Sequence, residues 1–235
     1  MCIGRARQEP TKGQPPMTDP FVAPDLLNAL AARIAATPPR GRRRMVAVAG
    51  PPASGKSTLA AALAAHLTAQ GTRAQCIPMD GFHLDDRVLA DRGLLPRKGA
   101  PDTFDAHGFV HAMARVRAEP EVILPEFDRT REIAIAGRIV CGPEVETAVI
   151  EGNYLCYDAA PWRDLGALWD LSLFLDIPED VLRARLIARW DAHGFAPDAA
   201  RAKVEENDLP NARLVLERRL PVDGVIGPDS TLRWT

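Results

Sequence analysis

Gly50-Pro51-Pro52-Ala53-Ser54-Gly55-Lys56-Ser57 separates two segments with different hydrophobic patterns. Before it, residues 45–49 read MVAVA, a short apolar run without polar alternation, as a central parallel strand requires. After it, Leu59, Leu63 and Leu67 recur four residues apart, which predicts a helix from Lys56 to about Gln70, ended by Gly71. The eight residues fit the pattern G-x4-G-K-[ST]. Glycines let the chain wrap closely around a phosphate, and the loop's N–H groups and the helix N-terminus point at the anion. Lys56 is expected to reach the β- and γ-phosphates of a nucleotide, and the Ser57 hydroxyl to hold Mg²⁺. The expected nucleotide contacts are Gly50, Ala53, Ser54, Gly55, Lys56, Ser57 and Thr58.

Outward from the loop, strand and helix patterns alternate. Residues 21–36 carry Leu26, Leu27, Leu30 and Ile34 at helical spacing. Further core strands are expected at 74–78, 147–150, 171–175 and 224–226. Helices are expected at 109–117, 179–190 and 198–206, with Pro210 interrupting. Residues 122–124 and 133–140 read as an inserted β-hairpin. This order predicts an α/β fold with a doubly wound, mostly parallel five-stranded sheet, a small β insertion and a helical lid. Residues 1–20, rich in Pro, Gly, Gln and Arg, are expected to be a disordered lead-in, with Met17 an alternative start. Residues 21–235 are then one domain, with an acceptor-site insertion at about 85–140 and the lid at about 179–210.

The 235 residues suffice for one well-buried domain, and a net charge of −2 provides no basic field for nucleic acid. Cys2, Cys76, Cys141 and Cys156 form no CxxC pair, which suggests reduced thiols in a cytoplasmic protein. No apolar run approaches the ~20 residues needed to cross a bilayer, so no membrane insertion is expected. Arg42-Arg43-Arg44 reads as a solvated lead into the first core strand, and no two histidines have metal-ligand spacing.

Two acidic residues end core strands: Asp80 in MDGFH and Glu151 in VIEGNY. Phosphoryl transfer needs a metal, charge stabilisation and a group to take the acceptor hydroxyl's proton. One strand-end carboxylate can act as that base, and a second can support the metal, so Ser57, Glu151 and Asp80 are the candidate Mg²⁺ set. Asp176, a third strand-end acid, is expected to cap the following helix.

Taken in order, GPPASGKS, MDGFH, PDTFD, LPEFD, VIEGNY and the Arg-bearing helix after FLDIPED resemble the uridine kinase / phosphoribulokinase / bacterial pantothenate kinase group of P-loop kinases. The resemblance spans about residues 44–227, and DLPNARLV (208–215) resembles a bacterial subgroup known as fructose-transport-associated or nucleoside-type kinases. It implies that Asp80 is the catalytic base and that Glu151 assists Mg²⁺ and acceptor. It also implies that His83 lines the acceptor pocket and that Arg185 and Arg189 are lid arginines. Asp102, Phe127, Asp128, Arg129 and Tyr154 complete the expected acceptor site. Gly99, Arg129 and Glu132 depart from the uridine kinase pattern, and Arg129 with Arg131 suits a polar or anionic acceptor better than a flat pyrimidine.

The implied activity is ATP-dependent transfer of a phosphoryl group to a hydroxyl of a small metabolite, a sugar or sugar-like polyol ahead of a pantothenate-like or nucleoside acceptor. ATP and that acceptor are the expected partners, with a homodimer left open. The rivals are a nucleotide switch and a non-catalytic nucleotide-binding module. Neither accounts for the paired strand-end acids.

Overall fold

The computed structural model describes residues 23–235. The expected lead-in at 1–20 and the alternative start at Met17 lie outside them.

Helix α1 (Pro24–Ala36) opens with proline at the position where a helix has no N–H to lose. It buries Leu26, Leu27, Leu30, Ala31 and Ile34. Strand β1 (Arg44–Ala49) feeds through the loop into α2 (Lys56–Ala69), and β2 (Ala74–Pro78) follows. Beyond it come α3 (Asp86–Asp91), α4 (Ala106–Ala118), and the hairpin of β3 (Val122–Asp128) and β4 (Ile133–Cys141). Strands β5 (Thr147–Gly152) and β6 (Leu171–Leu175) return to the sheet. Helices α5 (Glu179–Ala192), α6 (Pro197–Lys203) and α7 (Leu209–Glu217) precede the short strands β7 (Gly224–Ile226) and β8 (Leu232–Trp234).

The sheet runs β2-β5-β1-β6-β7-β8. Its first five strands are parallel and are those expected; β8 adds a sixth, antiparallel to β7 at the edge. Both faces are covered, which is why β1 shows no polar alternation. Met45, Ala47 and Ala49 join the core beneath α4, whereas Val46 and Val48 join the core beneath α1 and α2. The hairpin forms a separate two-stranded sheet, and its register shifts between Leu124 and Glu126. Pro125 stands at that shift, where it has no N–H to give a ladder.

Three expectations need correction. Arg43 is not a solvated lead-in residue: only 1% of it is exposed. Its guanidinium donates to the carbonyls of Val145 (3.2 Å), Pro120 (2.9 Å) and Gly142 (3.1 Å), and to that of Val116. One side chain thus satisfies the end of α4 and both roots of the hairpin. Pro210 does not interrupt its helix. A π turn at Val204–Asp208 joins α6 to α7, and Pro210 sits in the first turn of α7. Widening the helix just ahead of proline absorbs its missing N–H and the bulk of its ring. Asp176 caps nothing: α5 has Pro178 at its N-cap position, and Asp176 pairs with Arg219 at 3.3 Å.

Cys141 and Cys156 are buried free thiols, and burial pushes the Cys156 thiol up to about 12. At the start of α5, Glu179 accepts from Arg213 (two bonds of 2.7 Å) and Arg183 (2.8 Å), tying α5 to α7. Arg213 first and Arg183 second hold its carboxyl down to about 2.

Two predictions follow from these ties. Arg43→Met leaves several buried carbonyls without donors and is expected to cost about 3 kcal/mol or more, read as a lower urea midpoint with unchanged m-value. Arg43→Lys recovers only part of it, since one ammonium cannot reach four carbonyls. Glu179, with its lowered carboxyl, stabilises the fold fully above the ordinary carboxylate range and loses that contribution as pH falls towards about 2. Glu179→Gln should therefore lower the melting temperature slightly at neutral pH, and the difference should vanish in acid.

Candidate active site

Parallel pairing brings three strand ends to one level. Ala49 lies opposite Gly152, and Pro78 lies opposite Glu151. Ligands of open parallel sheets bind at such carboxyl ends. Between β1 and α2 the chain turns through two left-handed residues, Ala53 (φ 61°) and Gly55 (φ 98°). Gly55 adopts that conformation without strain and serves as the N-cap position of α2. Arg185 of α5 braces the loop from outside, its Nη1 donating to the carbonyls of Ser54 (3.1 Å) and Ala53 (3.3 Å). Ser54 Oγ is buried within the loop without a hydrogen-bond partner.

Lys56, in the first turn of α2, lies within electrostatic reach of the Glu151 and Asp80 carboxylates. Burial holds the Lys56 ammonium below its ordinary range, opposed first by Glu151 and then by Asp80. Burial pushes the Glu151 carboxyl up; Lys56 opposes this, Asp80 adds to it, and a hydrogen bond from Ser57 opposes it again. Lysine, serine and both carboxylates therefore sense one another across the strand ends.

Asp80 sits in the 3-10 turn Met79–Phe82 that leaves β2. Its carboxylate forms an ion pair with Arg129, which comes from the hairpin turn. His83 Nδ1 lies 2.8 Å from the Asp80 carbonyl oxygen, which can only accept, so the ring carries its proton on Nδ1. The imidazole packs against Phe104 (4.0 Å between centroids) and Phe127 (4.8 Å). Burial lowers its pKa, with Asp80 opposing, so the ring stays neutral. Gly81 is the point of closest approach between the Asp80 turn and the hairpin: a Cβ there would run into the Pro125 carbonyl.

Of the residues picked out from sequence, Lys56, Asp80, His83, Phe127, Arg129 and Arg189 line one cleft of about 150 Å³. The others stand elsewhere. Glu151, buried at the end of β5, and Ser57, exposed next to Lys56 in α2, are outside its lining. Tyr154 is fully buried and donates to the Gly99 carbonyl (2.7 Å), so it holds the cleft wall from behind. Asp128 accepts from the backbone N–H groups of Thr130 (3.0 Å) and Arg131 (3.1 Å), shaping the hairpin turn. Asp102 pairs with Arg97 at 3.3 Å on the surface. Arg131 is exposed, 3.8 Å from Asp128.

Other cleft residues escaped the sequence reading. Lys98 pairs with Asp86 (2.7 Å) and Glu132 (3.1 Å), and its ammonium lies 5.2 Å from the centre of the Phe127 ring. Trp190 donates to Asp208 at 2.6 Å and carries Lys203 over its ring at 4.7 Å. Asn207 is buried and donates to the Lys98 carbonyl at 2.9 Å, while Asn211 lies one turn further along and reaches the cleft. One signal for the asparagines was available. Asn207, Asn211 and Val215 are four residues apart, so two amides fall on the stripe that should be apolar. Lys98 offered none beyond its neighbour Gly99.

A phosphate loop on a parallel sheet, with two acids at adjacent strand ends, defines a P-loop phosphotransferase. No protein-family model matches the chain. The fold is similar to a crystal structure from Silicibacter sp. TM1040, of a protein described provisionally as a fructose transport system kinase. The TM-score is 0.81 and the identity 52%, covering 85% of this chain and 97% of that one. The chain is 33% identical over 159 residues to the ATP-dependent kinase-like protein notR' of Aspergillus versicolor, covering 63% of this chain and 92% of that protein. It is 32% identical over 197 residues to C227.14 of Schizosaccharomyces pombe (strain 972), provisionally named a uridine kinase, covering 79% of this chain and 83% of that one. The chain belongs to the uridine kinase / pantothenate kinase / phosphoribulokinase family of ATP-dependent P-loop kinases. Among the described residues no helix is long and apolar enough to cross a membrane.

Gly81→Ala is expected to push the hairpin away from the Asp80 turn without emptying the phosphate loop. Kinetics should show a loss of kcat with ATP affinity preserved, and a nucleotide titration followed by thermal shift checks the second half.

Proposed function

We propose that this protein transfers the γ-phosphoryl group of ATP to a hydroxyl of a small polar metabolite, best a sugar or sugar-like polyol. The observation that supports this above all is the convergence of Lys56, Asp80 and Arg189 on one cleft from α2, the β2 turn and α5. A nucleotide switch or a binding module has no use for a carboxylate beside the loop lysine and facing an acceptor-sized space.

In this reading the phosphate loop cradles the ATP phosphates, and Lys56 faces the β- and γ-phosphates. Asp80 accepts the acceptor hydroxyl's proton as its oxygen attacks the γ-phosphorus. The bond to the β-phosphate oxygen breaks, and ADP leaves with that electron pair. Arg189 offers charge to the phosphoryl group in transit. Helices α5 to α7 act as the lid that excludes water, with Arg185 fastening α5 to the loop.

Mg²⁺ suits the donors present. The Ser57 hydroxyl, the Glu151 carboxylate and the Asp80 carboxylate lie close enough at the strand ends to act on one another electrostatically. Among the described residues no group of three or more His, Cys, Asp or Glu forms a ready-made metal site. A hydroxyl and one or two carboxylates fit a cation that arrives with the nucleotide and keeps several waters. When bound, Mg²⁺ would neutralise charge on the phosphates.

The acceptor side supports a polyol over a nucleoside. The Lys98 ammonium covers the face of Phe127 on which a flat base would stack. The cleft, about 150 Å³, is also below the ~300 Å³ at which pockets for larger ligands begin. We place the enzyme in the cytoplasm, in keeping with its three described free thiols.

Asp80→Asn tests the mechanism. General-base loss is expected to lower kcat by about 10²-fold or more. ATP affinity, measured by calorimetry, should stay near its wild-type value. A variant with near-normal kcat would remove Asp80 from the role of base.

A further inference from the structure

A second cavity, of about 320 Å³, lies at the other end of the sheet from the phosphate loop. It opens where β1, β6 and β7 begin, and its lining includes Arg40, Cys156, Asp170, Ser172 and Asp223. Small-molecule sites begin at ~300 Å³, so its size admits a compact ligand.

Two acids stand there for a local reason. Asp170 precedes β6 and Asp223 precedes β7, and those strands are parallel neighbours. Each accepts from a backbone N–H near the start of the adjoining strand. Asp170 Oδ2 takes that of Met45 (2.8 Å), and Asp223 Oδ2 takes that of Ser172 (2.7 Å).

Beyond that shared duty the two acids differ. Asp170 Oδ1 accepts from Arg40 Nε (2.9 Å) and from the Arg40 backbone N–H (3.2 Å), and its side chain is wholly shielded from solvent. Asp223 accepts again on Oδ2, from the Ser172 hydroxyl (2.7 Å). Among the described residues its Oδ1 has no hydrogen-bond partner and its charge has no ion-pair partner. Holding the strand together therefore accounts for one oxygen of Asp223 and not for the other.

Nearby cations do not answer it. Arg40 is locked onto Asp170 and also donates through Nη2 to the Trp169 carbonyl. Arg219, which acts on the Cys156 thiol, is paired with Asp176 at 3.3 Å. Cys156 brings no charge of its own, because burial first and Asp223 second push its thiol up to about 12. A carboxylate left in this way in a cavity of ligand size favours a cation brought from outside. A bare metal ion finds a poor donor set, since among the described residues no three His, Cys, Asp or Glu converge. Leu220 and Pro221 instead add apolar surface to the lining. An ammonium on a short carbon chain suits both features.

We propose that this cavity binds a small primary amine, whose ammonium pairs with Asp223 while its carbon chain lies against Leu220 and Pro221. The site is separate from the cleft beside the phosphate loop and does not depend on the kinase reading.

The test is calorimetry with thermal shift on the full chain at fixed ionic strength. The probes are butylamine and putrescine, with butanol and butyrate as the uncharged and anionic counterparts. At least one amine should bind saturably and raise Tm, and butanol and butyrate should do neither. Asp223→Asn keeps an oxygen for Ser172 but removes the charge, and should weaken amine binding by about tenfold or more. Leu220→Phe, which takes up cavity space and leaves every charge in place, should weaken it as well. Saturating ATP and Mg²⁺ should leave the amine affinity unchanged, which separates this cavity from the cleft acids Asp80, Glu132 and Asp208. Absence of saturable binding by both amines would overturn the inference. So would unchanged affinity in Asp223→Asn, or displacement of the amine by ATP. If Asp223→Asn does not fold, Leu220→Phe decides in its place, and unchanged affinity there overturns the inference.

Discussion

The parallel register of β1 with β5, and of β5 with β2, decides where every charged group of the cleft can stand. Side chains alternate along a strand, so β5 sends Ile150 to the core beneath α4 and Val149 to the core beneath α2. Glu151 shares the parity of Val149 and so comes out on the side of Lys56 and Ser57. A slip of one residue would turn it to the other face and leave a buried carboxylate among aromatic side chains. The same pairing stops β2 at Pro78, level with Glu151, so the 3-10 turn that follows lifts Asp80 over the strand ends. The site needs no unusual chain path; it needs three strands to end together.

Around that edge, charge is balanced locally. Lys56 answers Glu151, Arg129 answers Asp80, Lys98 answers Asp86 and Glu132, and Arg185 answers two loop carbonyls. On the proposed reading, a nucleotide brings several negative charges into this set, and each cation has a phosphate oxygen or a displaced acid to turn to. Burial makes those exchanges matter, because charges removed from water interact more strongly and are costlier to leave alone.

The sheet was readable from sequence because its strands announce themselves by composition alone. Five short, largely apolar runs correspond to the five parallel strands; four are followed directly by Gly or an acid, and β2 ends on Pro78, two residues before Asp80. Strand β8, LRW, is three residues long with two of them exposed, and nothing in so short a run distinguishes it from loop. Helix α4 begins at Ala106 and not Phe109, because Asp105 caps it through the Gly108 N–H, and a glycine in a first turn reads as a loop signal. The loop residues and both strand-end acids were visible because backbone geometry dictates them. Lys98, Trp190, Lys203 and Asp208 were not. Their roles depend on how a loop and three helices meet, which no local pattern records. Arg43 is the sharpest case. A guanidinium among three consecutive arginines looks solvated, and only the carbonyl ends of α4 and the hairpin reveal why it is buried.

The π turn at Val204–Asp208 has an arithmetical meaning. Relative to an uninterrupted α-helix it holds one extra residue, and one residue of α-helix is about 100° of rotation. Upstream of it the helical face is set by Ala200; downstream, by Leu209, Ala212 and Val215, all packed in the core, with Asn211 turned to the cleft. The extra residue works like a vernier between the two halves, advancing α7 by a fixed angle so that core contact and cleft contact are met together. The spacing of residues between α6 and α7, more than their chemical identity, thus fixes which side chain the helix presents to whatever the cleft receives.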